Sequence, residues 1–312
     1  MGVYKAADQE RRNDLKVITA GAASGFITRF ICQPLDVLKI RFQLQIEPIR
    51  RHSQTSRYRG LMQACGDIWR REGIAGFWKG HVPAQLLSVI YGSVQFVSYD
   101  RLYSNLKLLS NETNEVLIRG VAGGCGGCLA TLVSYPTDVL RTRFSSQGEF
   151  KVYTSLNQAM ASILKEDGYR GFFRGLQPSL LQIFPYVAIQ FGLYKPCGDL
   201  VKHILGSSTM NENITTIESM IAGGICGGTA KMVVYPFDLV KRRLQVQGFE
   251  KARMGFGKLE TYIGSVECFR KTLSSEGIVG LFKGISPSLV KAVTVSALSF
   301  SLYEFFYNIS SL

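Results

Sequence analysis

The sequence predicts an all-α membrane protein with six transmembrane helices, and three observations support this. Hydrophobic residues make up 46% of the 312-residue chain and charged residues only 19%, whereas soluble domains hold about 25% charged residues. The chain also contains 32 glycines, more than ordinary soluble helices accommodate. Finally, the segment QPLDVLKIRFQ returns as YPTDVLRTRF and YPFDLVKRRLQ, so that a proline, an acid and bases recur three times.

The three copies place Pro34, Pro136 and Pro236 at equivalent positions about 100 residues apart, which predicts an internal repeat. We divide the chain into an N-terminal tail, 1–15, and three repeats, 16–108, 116–206 and 216–312. Glycine pairs four residues apart also recur and predict close helix packing in lipid; they are Gly21 and Gly25, Gly123 and Gly127, and Gly223 and Gly227.

Each repeat contains two long apolar segments, which gives six candidate spans: 16–44, 82–106, 116–145, 178–203, 216–246 and 286–309. None is uniformly apolar, as expected for helices that enclose a water-filled cavity. Polar stretches such as GLMQACGDIWRREG lie between them and predict short amphipathic helices. The turns EGIAGFWKG, DGYRGFFRG and EGIVGLFKG precede the second segment of each repeat.

The net charge of +13 is concentrated in three loops. Residues 39–80, 141–175 and 241–284 hold 24 of the 36 lysines and arginines, so these loops are expected to face one compartment and both termini the other. This accounts for the charge without nucleic acid, although a soluble basic helical-repeat binding protein remains the alternative from another class. An enzyme is disfavoured because His52, His81 and His203 fall in no nucleophile or metal motif.

Ionisable side chains share one face of the first helix of each repeat. On a helix of 3.6 residues per turn these faces bear similar sets: Arg29, Asp36, Lys39 and Gln43; Thr131, Asp138, Arg141 and Ser145; and Lys231, Asp238, Lys241 and Gln245. Charges at membrane depth are costly unless they are paired or hydrated, so the pattern predicts ion pairs between neighbouring helices.

Three Px[DE]xx[KR]x[KR] motifs at this spacing resemble the mitochondrial carrier family over residues 16–309. The resemblance implies a threefold pseudosymmetric six-helix bundle with a central cavity, kinked at the three prolines, in the mitochondrial inner membrane. Both termini would face the intermembrane space and the amphipathic helices the matrix. It also implies a matrix gate with three ion pairs, Asp36–Arg141, Asp138–Lys241 and Asp238–Lys39, braced by Gln43 and Gln245, whereas Ser145 departs from the pattern.

The resemblance further implies cardiolipin sites at three basic-glycine pairs: Lys79 and Gly80, Arg174 and Gly175, and Lys283 and Gly284. It implies a second gate with the motif [FY][DE]xx[KR], which this chain meets poorly, since Tyr103 stands where the first cation is expected. Neither a metal nor a cofactor is expected, and the chain is expected to act as a monomer.

An asymmetric substrate requires side chains that differ among the repeats. Three cations, Arg29, Lys231 and Lys291, are placed without a matched acid at their levels, which favours an anionic phosphorylated substrate. Tyr91 and Tyr186 suit a flat ring, and Gln95, Gln182 and Gln190 offer donors and acceptors, although helix-to-helix hydrogen bonding remains open for all of them.

Longer stretches, among them FWKGHVPAQLLS, YGSVQF and IFPY, resemble the branch of the family that carries thiamine pyrophosphate. That resemblance implies exchange of thiamine pyrophosphate for nucleotides. An adenine-nucleotide or coenzyme A carrier is the alternative within transport.

Overall fold

The computed structural model describes residues 2–49, 56–109, 115–205, 216–250 and 260–309, and the described residues form helices and turns without strands. The α-helices are α1 (Gly2–Leu44), α2 (Leu61–Glu72), α3 (His81–Leu109), α4 (Glu115–Ser146), α5 (Leu156–Asp167), α6 (Leu176–Leu181), α7 (Ile183–Leu205), α8 (Thr216–Gln245), α9 (Ser265–Leu281) and α10 (Ile285–Ile309). Short 3₁₀ helices follow α2 and α5, at Ile74–Trp78 and Tyr169–Phe173. The all-α prediction is confirmed.

The long helices cover the predicted apolar segments, with one difference in the second repeat. Segment 178–203 is broken at Gln182 into α6 and α7. Pro185 explains the break, because it has no amide hydrogen and its ring would collide with the carbonyl group of Leu181 in a continuous helix. The prolines at 34, 136 and 236 lie within helices α1, α4 and α8, and a kink there stays a prediction.

The short helices pack on the first long helix of their own repeat. On α2, Ala64 and Ile68 contact Val37 and Phe42 of α1. On α5, Ala159 and Ile163 join Leu140 of α4, and Cys268 of α9 joins Val240 and Leu244 of α8. Each short helix is therefore fixed to the first long helix of its own repeat.

The most extensive packing between long helices joins the second long helix of one repeat to the first of another. These pairs are α3 with α4, α7 with α8, and α10 with α1. The first helices of the repeats, α1, α4 and α8, also contact one another. The chain thus brings the three repeated helices together.

Most glycines of the predicted pairs do not make the close helix contacts expected of them; Gly127 does, since an added Cβ there would lie 3.5 Å from Ile183 Cγ2 and 3.7 Å from the Tyr91 hydroxyl. An added Cβ at Gly21, Gly25, Gly123 or Gly223 would meet no atom within 4 Å. The close approach lies at Gly126 instead, where a Cβ would come 3.3 Å from the backbone nitrogen of Tyr99. The spacing of small residues therefore did not identify the glycine of α4 that lies against the backbone of α3.

By length and apolar composition, one described helix meets the usual requirements for a membrane span, the stretch Leu117–Ser146 of α4. A second is reached if Ser265–Leu281 and Ile285–Ser296, bent by 44°, form one span. The six predicted spans therefore stay a prediction.

Candidate functional site

Three aspartates meet where α1, α4 and α8 come together, and we call Asp36, Asp138 and Asp238 the inner ring. Each is buried and contacts a cation from another repeat. Arg141 Nη2 lies 2.7 Å from Asp36 Oδ2, Lys241 Nζ lies 2.9 Å from Asp138 Oδ2, and Lys39 Nζ lies 2.5 Å from Asp238 Oδ2. The structure thus brings together the three pairs that the resemblance implied; their action as a gate stays a prediction.

Glutamines support two of these three pairs. Gln245 Nε2 donates to Asp138 Oδ2 at 2.9 Å, and Gln43 Nε2 donates to Asp238 Oδ2 at 3.5 Å. Ser145, at the equivalent position, donates instead to the carbonyl oxygen of Lys79 at 3.0 Å. The contact between α1 and α4 therefore has no such brace.

Each aspartate of the inner ring also has a second cation nearby. Lys291 Nζ lies 2.6 Å from Asp36 Oδ1, and Lys231 Nζ lies 3.7 Å from Asp238 Oδ2. The prediction that these two lysines have no matched acid is therefore wrong. The prediction compared residues at the same height along the helices and ignored the length of a lysine side chain. Lys231 reaches an acid two turns further along α8, and Lys291 reaches from α10 to α1.

The second cation of Asp138 is Arg242, which sequence reasoning missed. Arg242 Nη1 donates to Asp138 Oδ1 at 3.0 Å, to Thr142 Oγ1 at 2.5 Å and to Gln245 Oε1 at 2.9 Å. At the equivalent position the other repeats have Ile40 and Thr142. The available signal was the extra base in the middle of KRR, where the other repeats read KIR and RTR.

The inner ring and its cations carry an excess of positive charge. Among the described residues, six lysine and arginine side chains lie within ion-pair distance of three carboxylates, which leaves three positive charges uncompensated. The aspartates are at most 4% exposed, whereas the side chains of Lys231 and Lys291 are 40% and 27% exposed. The two lysines are therefore accessible to an anion in solution.

The remaining predicted binding residues have partly buried side chains; they lie on the long helices, except Gln182, which lies at the break between α6 and α7. Arg29 Nη1 donates to the carbonyl oxygen of Ala84 at 3.2 Å, so this cation also links α1 to α3. The hydroxyl of Tyr91 lies 3.7 Å from where a Cβ of Gly127 would be, and that of Tyr186 lies 4.0 Å from the same position at Gly227. Each tyrosine leans on the first helix of the next repeat. The half-buried amides are Gln95, Gln182 and Gln190.

A second set of charges forms three clamps, each an arginine, an acid and a further base of one repeat. They are Arg41–Glu72–Lys79, Arg143–Asp167–Arg174 and Arg243–Glu276–Lys283. In the first clamp, Arg41 Nη1 lies 2.5 Å from Glu72 Oε1 and Lys79 Nζ lies 2.5 Å from Glu72 Oε2. Burial acts to raise the pKa of Glu72, but hydrogen bonds from both bases outweigh it and lower the pKa below its ordinary value.

The clamps also bind backbone carbonyl groups at the end of the next repeat's first helix. Lys79 Nζ lies 2.5 Å from the carbonyl oxygen of Gly148, Arg143 Nη2 lies 2.9 Å from that of Gln247, and Lys283 Nζ lies 2.5 Å from that of Ile46. The ammonium groups of Lys79 and Lys283 thereby contact acids and carbonyl groups of the protein, and their role as lipid ligands stays a prediction. Arg174 keeps a third of its side chain exposed.

Left-handed glycines let the turns approach the inner ring. Gly80, Gly175 and Gly284 have φ of +79°, +79° and +82°, a conformation that favours glycine. A Cβ on them would lie 2.8–2.9 Å from the carbonyl oxygen of Arg141, Lys241 or Lys39, respectively. Each turn therefore touches the backbone of a cation that pairs with the inner ring.

Comparison with known proteins agrees with this architecture. The family model described as "Mitochondrial carrier protein" matches residues 11–108, 112–205 and 212–311. The chain is 42% identical to the human "Mitochondrial thiamine pyrophosphate carrier", over 99% of this chain and 96% of that protein. It is 38% identical to "Mitochondrial thiamine pyrophosphate carrier 1" of Pyricularia oryzae, over 96% and 95% of the two chains.

A plant relative, "Mitochondrial thiamine diphosphate carrier 2" of Zea mays, is 37% identical over 98% of this chain and 96% of that protein. Members of the matched family are transporters located in the mitochondrial inner membrane, so the prediction of a carrier rather than an enzyme is confirmed. Three matched repeats and full-length similarity lead to one conclusion: the chain belongs to the mitochondrial carrier family.

Proposed function

We propose that the protein carries thiamine pyrophosphate across the mitochondrial inner membrane by alternating access. The observation that carries the proposal is the excess of three positive charges at the inner ring. A diphosphate is a multivalent anion that suits Lys231, Lys291 and Arg29, since charge-assisted hydrogen bonds are the strong ones. The printed names of the relatives from animals, a fungus and a plant support the same substrate.

The rings of thiamine pyrophosphate suit the tyrosines and glutamines on the second helices of the repeats, which we call the wall. One of its two rings is positively charged, and a cation over an aromatic face is attracted to it. Tyr91 and Tyr186 supply such faces from two different repeats, while Gln95, Gln182 and Gln190 supply hydrogen-bonding groups. The third repeat has Val295 at the tyrosine position, so the wall is asymmetric as the substrate is.

Six spans in a threefold pseudosymmetric bundle fit the distribution of apolar and charged side chains. Phe96 and Val293 of the long helices are 76% and 72% exposed, whereas Arg143 and the inner ring are buried. Lipid would cover such outward apolar faces. In this arrangement both termini face the intermembrane space, the three basic loops face the matrix, and the inner ring closes the matrix end of a central cavity in a monomer.

We propose that cardiolipin binds the backbone of the three turns rather than the lysine side chains. Because Lys79 and Lys283 bind acids and carbonyl groups, cardiolipin phosphate would be held by backbone amides beside Gly80, Gly175 and Gly284 and by the exposed part of Arg174.

Transport by purified protein in liposomes tests the substrate. We expect uptake of labelled thiamine pyrophosphate, accelerated by nucleotides inside the vesicles because they serve as counter-substrates. Lys231→Gln should reduce uptake at least about tenfold, the effect of losing about 1.4 kcal/mol of binding, while the melting temperature stays near that of the native protein.

Arg71→Gln is the matched control, because this basic side chain on α2 is exposed and pairs only along its own helix in the described structure. Its uptake should equal that of the native protein. Brisk adenine-nucleotide or coenzyme A exchange without uptake of thiamine pyrophosphate would contradict the proposed substrate while retaining the carrier.

A further inference from the structure

The inner ring has three edges, defined here as the contacts between α1 and α4, between α1 and α8, and between α4 and α8, and they are unequal. The α4–α8 edge is the richest: Asp138 receives Lys241, Arg242 and Gln245 at 2.9–3.0 Å. Thr142 Oγ1 also donates to Gln245 Oε1 at 2.7 Å and accepts from Arg242 at 2.5 Å. This edge is a network in which each polar group has several partners.

The α1–α8 edge is intermediate. Lys39 lies 2.5 Å from Asp238, and Gln43 adds a longer hydrogen bond of 3.5 Å to the same carboxylate oxygen. The nearby Lys231 belongs to α8, as Asp238 does, so it does not link the two helices. Two side chains of α1 therefore hold this edge.

The α1–α4 edge is the poorest. In the described part of the chain, its inner-ring contact is the ion pair between Arg141 Nη2 and Asp36 Oδ2, at 2.7 Å. Ser145 is turned to the carbonyl group of Lys79 and leaves the pair unbraced. The second cation of Asp36, Lys291, comes from α10, which packs along α1, so Asp36 keeps a partner when α1 and α4 separate.

We propose that the ring opens unevenly, first between α1 and α4, and that Arg242 is a positioning residue that holds α4 and α8 together. This inference rests on the proposed alternating access but not on the identity of the substrate. An anion held beside Lys291 lies at the weakest edge and competes with Asp36 for Arg141, because both cations contact that carboxylate. A ligand shifts such an equilibrium by its differential affinity for the two states, and here it needs to break one ion pair rather than a network.

Distances between the repeats test this order of opening. Met62 on α2, Met160 on α5 and Val266 on α9 are exposed, and each of these helices packs on its own repeat. Spin labels on genetically encoded side chains at these positions leave the seven native cysteines in place. With thiamine pyrophosphate added in nanodiscs, we expect the 62–160 distance to lengthen while the 160–266 distribution is retained.

Two variants act on opposite edges. Arg242→Thr installs the residue type of the second repeat, and we expect the 160–266 distribution to lengthen as well; Arg242→Lys should restore part of the native distribution. Ser145→Gln adds the missing brace, at a position that lies against Gly80 as Gln43 lies against Gly284. It should suppress lengthening of the 62–160 distance and slow transport.

Equal lengthening of all three distances in the native protein would overturn the proposal, as would an unchanged 160–266 distribution in Arg242→Thr. If Arg242→Thr fails to fold, Ser145→Gln decides alone, since an unaltered 62–160 response contradicts the weak edge. If thiamine pyrophosphate moves no distance, the proposed substrate is wrong. The order in which the edges open is then tested with the same two variants and no added solute. The quantity measured is the fraction of molecules in which each distance is already lengthened.

Discussion

The clamp arginines and the inner-ring aspartates lie only five residues apart on the same helices, yet the clamps and the inner ring are built differently. Arg41, Arg143 and Arg243 each bind an acid of their own repeat and carbonyl groups of another, and this pattern repeats three times. The inner ring repeats its primary ion pairs, but the second cation of each aspartate comes from a different position, and one of the three pairs lacks the glutamine brace. A repeated contact serves the common scaffold, whereas the varied ring is where an asymmetric substrate and an ordered opening can act.

Removing a clamp arginine is the strongest test of whether the clamps serve as scaffold. Arg143 is fully buried and binds Asp167 and the carbonyl oxygens of Gln245 and Gln247. Arg143→Ala leaves a buried carboxylate without this partner, which typically costs about 3–5 kcal/mol, a large part of the about 5–15 kcal/mol that holds proteins folded. We expect most of the cooperative thermal transition in detergent to be lost.

The matched control is Arg71→Ala, whose ion pair with Asp67 is on an exposed helix face. It should leave the melting temperature unchanged, since exposed pairs contribute little. A stable Arg143→Ala protein that fails only in transport would place the clamps in the moving part.

A smaller effect is expected from the turns that touch the inner ring. Gly80→Ala and Gly73→Ala both place a side chain at a left-handed φ, of +79° and +70°, which costs about 1–2 kcal/mol. The alanine methyl group at position 80 would lie 2.5 Å from Ser145 Oγ and 2.8 Å from the carbonyl oxygen of Arg141, whereas at 73 it meets no atom within 4 Å. Overpacking should add about 1–3 kcal/mol to the first variant alone.

Differential scanning of both glycine variants measures this difference. A lower melting temperature for Gly80→Ala than for Gly73→Ala is expected. Equal melting temperatures would mean that the turn and α4 can separate without loss of stability. The turn would then not be part of the scaffold.

Repetition explains which features the sequence predicted. The repeated motif predicted ion pairs between neighbouring helices, the family resemblance implied the pair of Asp36 with Arg141, and the long helices follow from apolar segments bounded by turns. The feature that failed depends on reach rather than spacing: Lys291 extends to Asp36 across a helix interface. Periodicity gives the face of a helix but not the direction of a long side chain.

Arg242 was missed for a related reason. Comparison of repeats directs attention to positions where the type is retained, and Ile40 and Thr142 stand at its equivalents. Its role depends on Thr142 and Gln245 being side by side in space, which three aligned motifs do not reveal. Asymmetric positions beside a symmetric motif are therefore the ones that most require a structure.

The smallest predicted effect concerns the tyrosines that precede two of the repeat prolines. The hydroxyl groups of Tyr135 and Tyr235 donate at 3.0 Å to the carbonyl oxygens of Arg174 and Lys283. A phenylalanine removes this bond but keeps the ring beneath Lys241 or Lys39, whose ammonium groups lie 5.3 and 5.7 Å from the ring centres. Each substitution should cost about 1 kcal/mol.

The double variant should cost about twice as much, because the tyrosines lie in different repeats and distant sites usually add. Tyr169→Phe, at an exposed side chain, is the control and should melt as the native protein does. Transport should survive in these variants, because the ion pairs of the inner-ring aspartates are left in place. Loss of transport at unchanged stability would instead mean that these turns move with the inner ring during transport. The fixed scaffold would then be limited to the clamps.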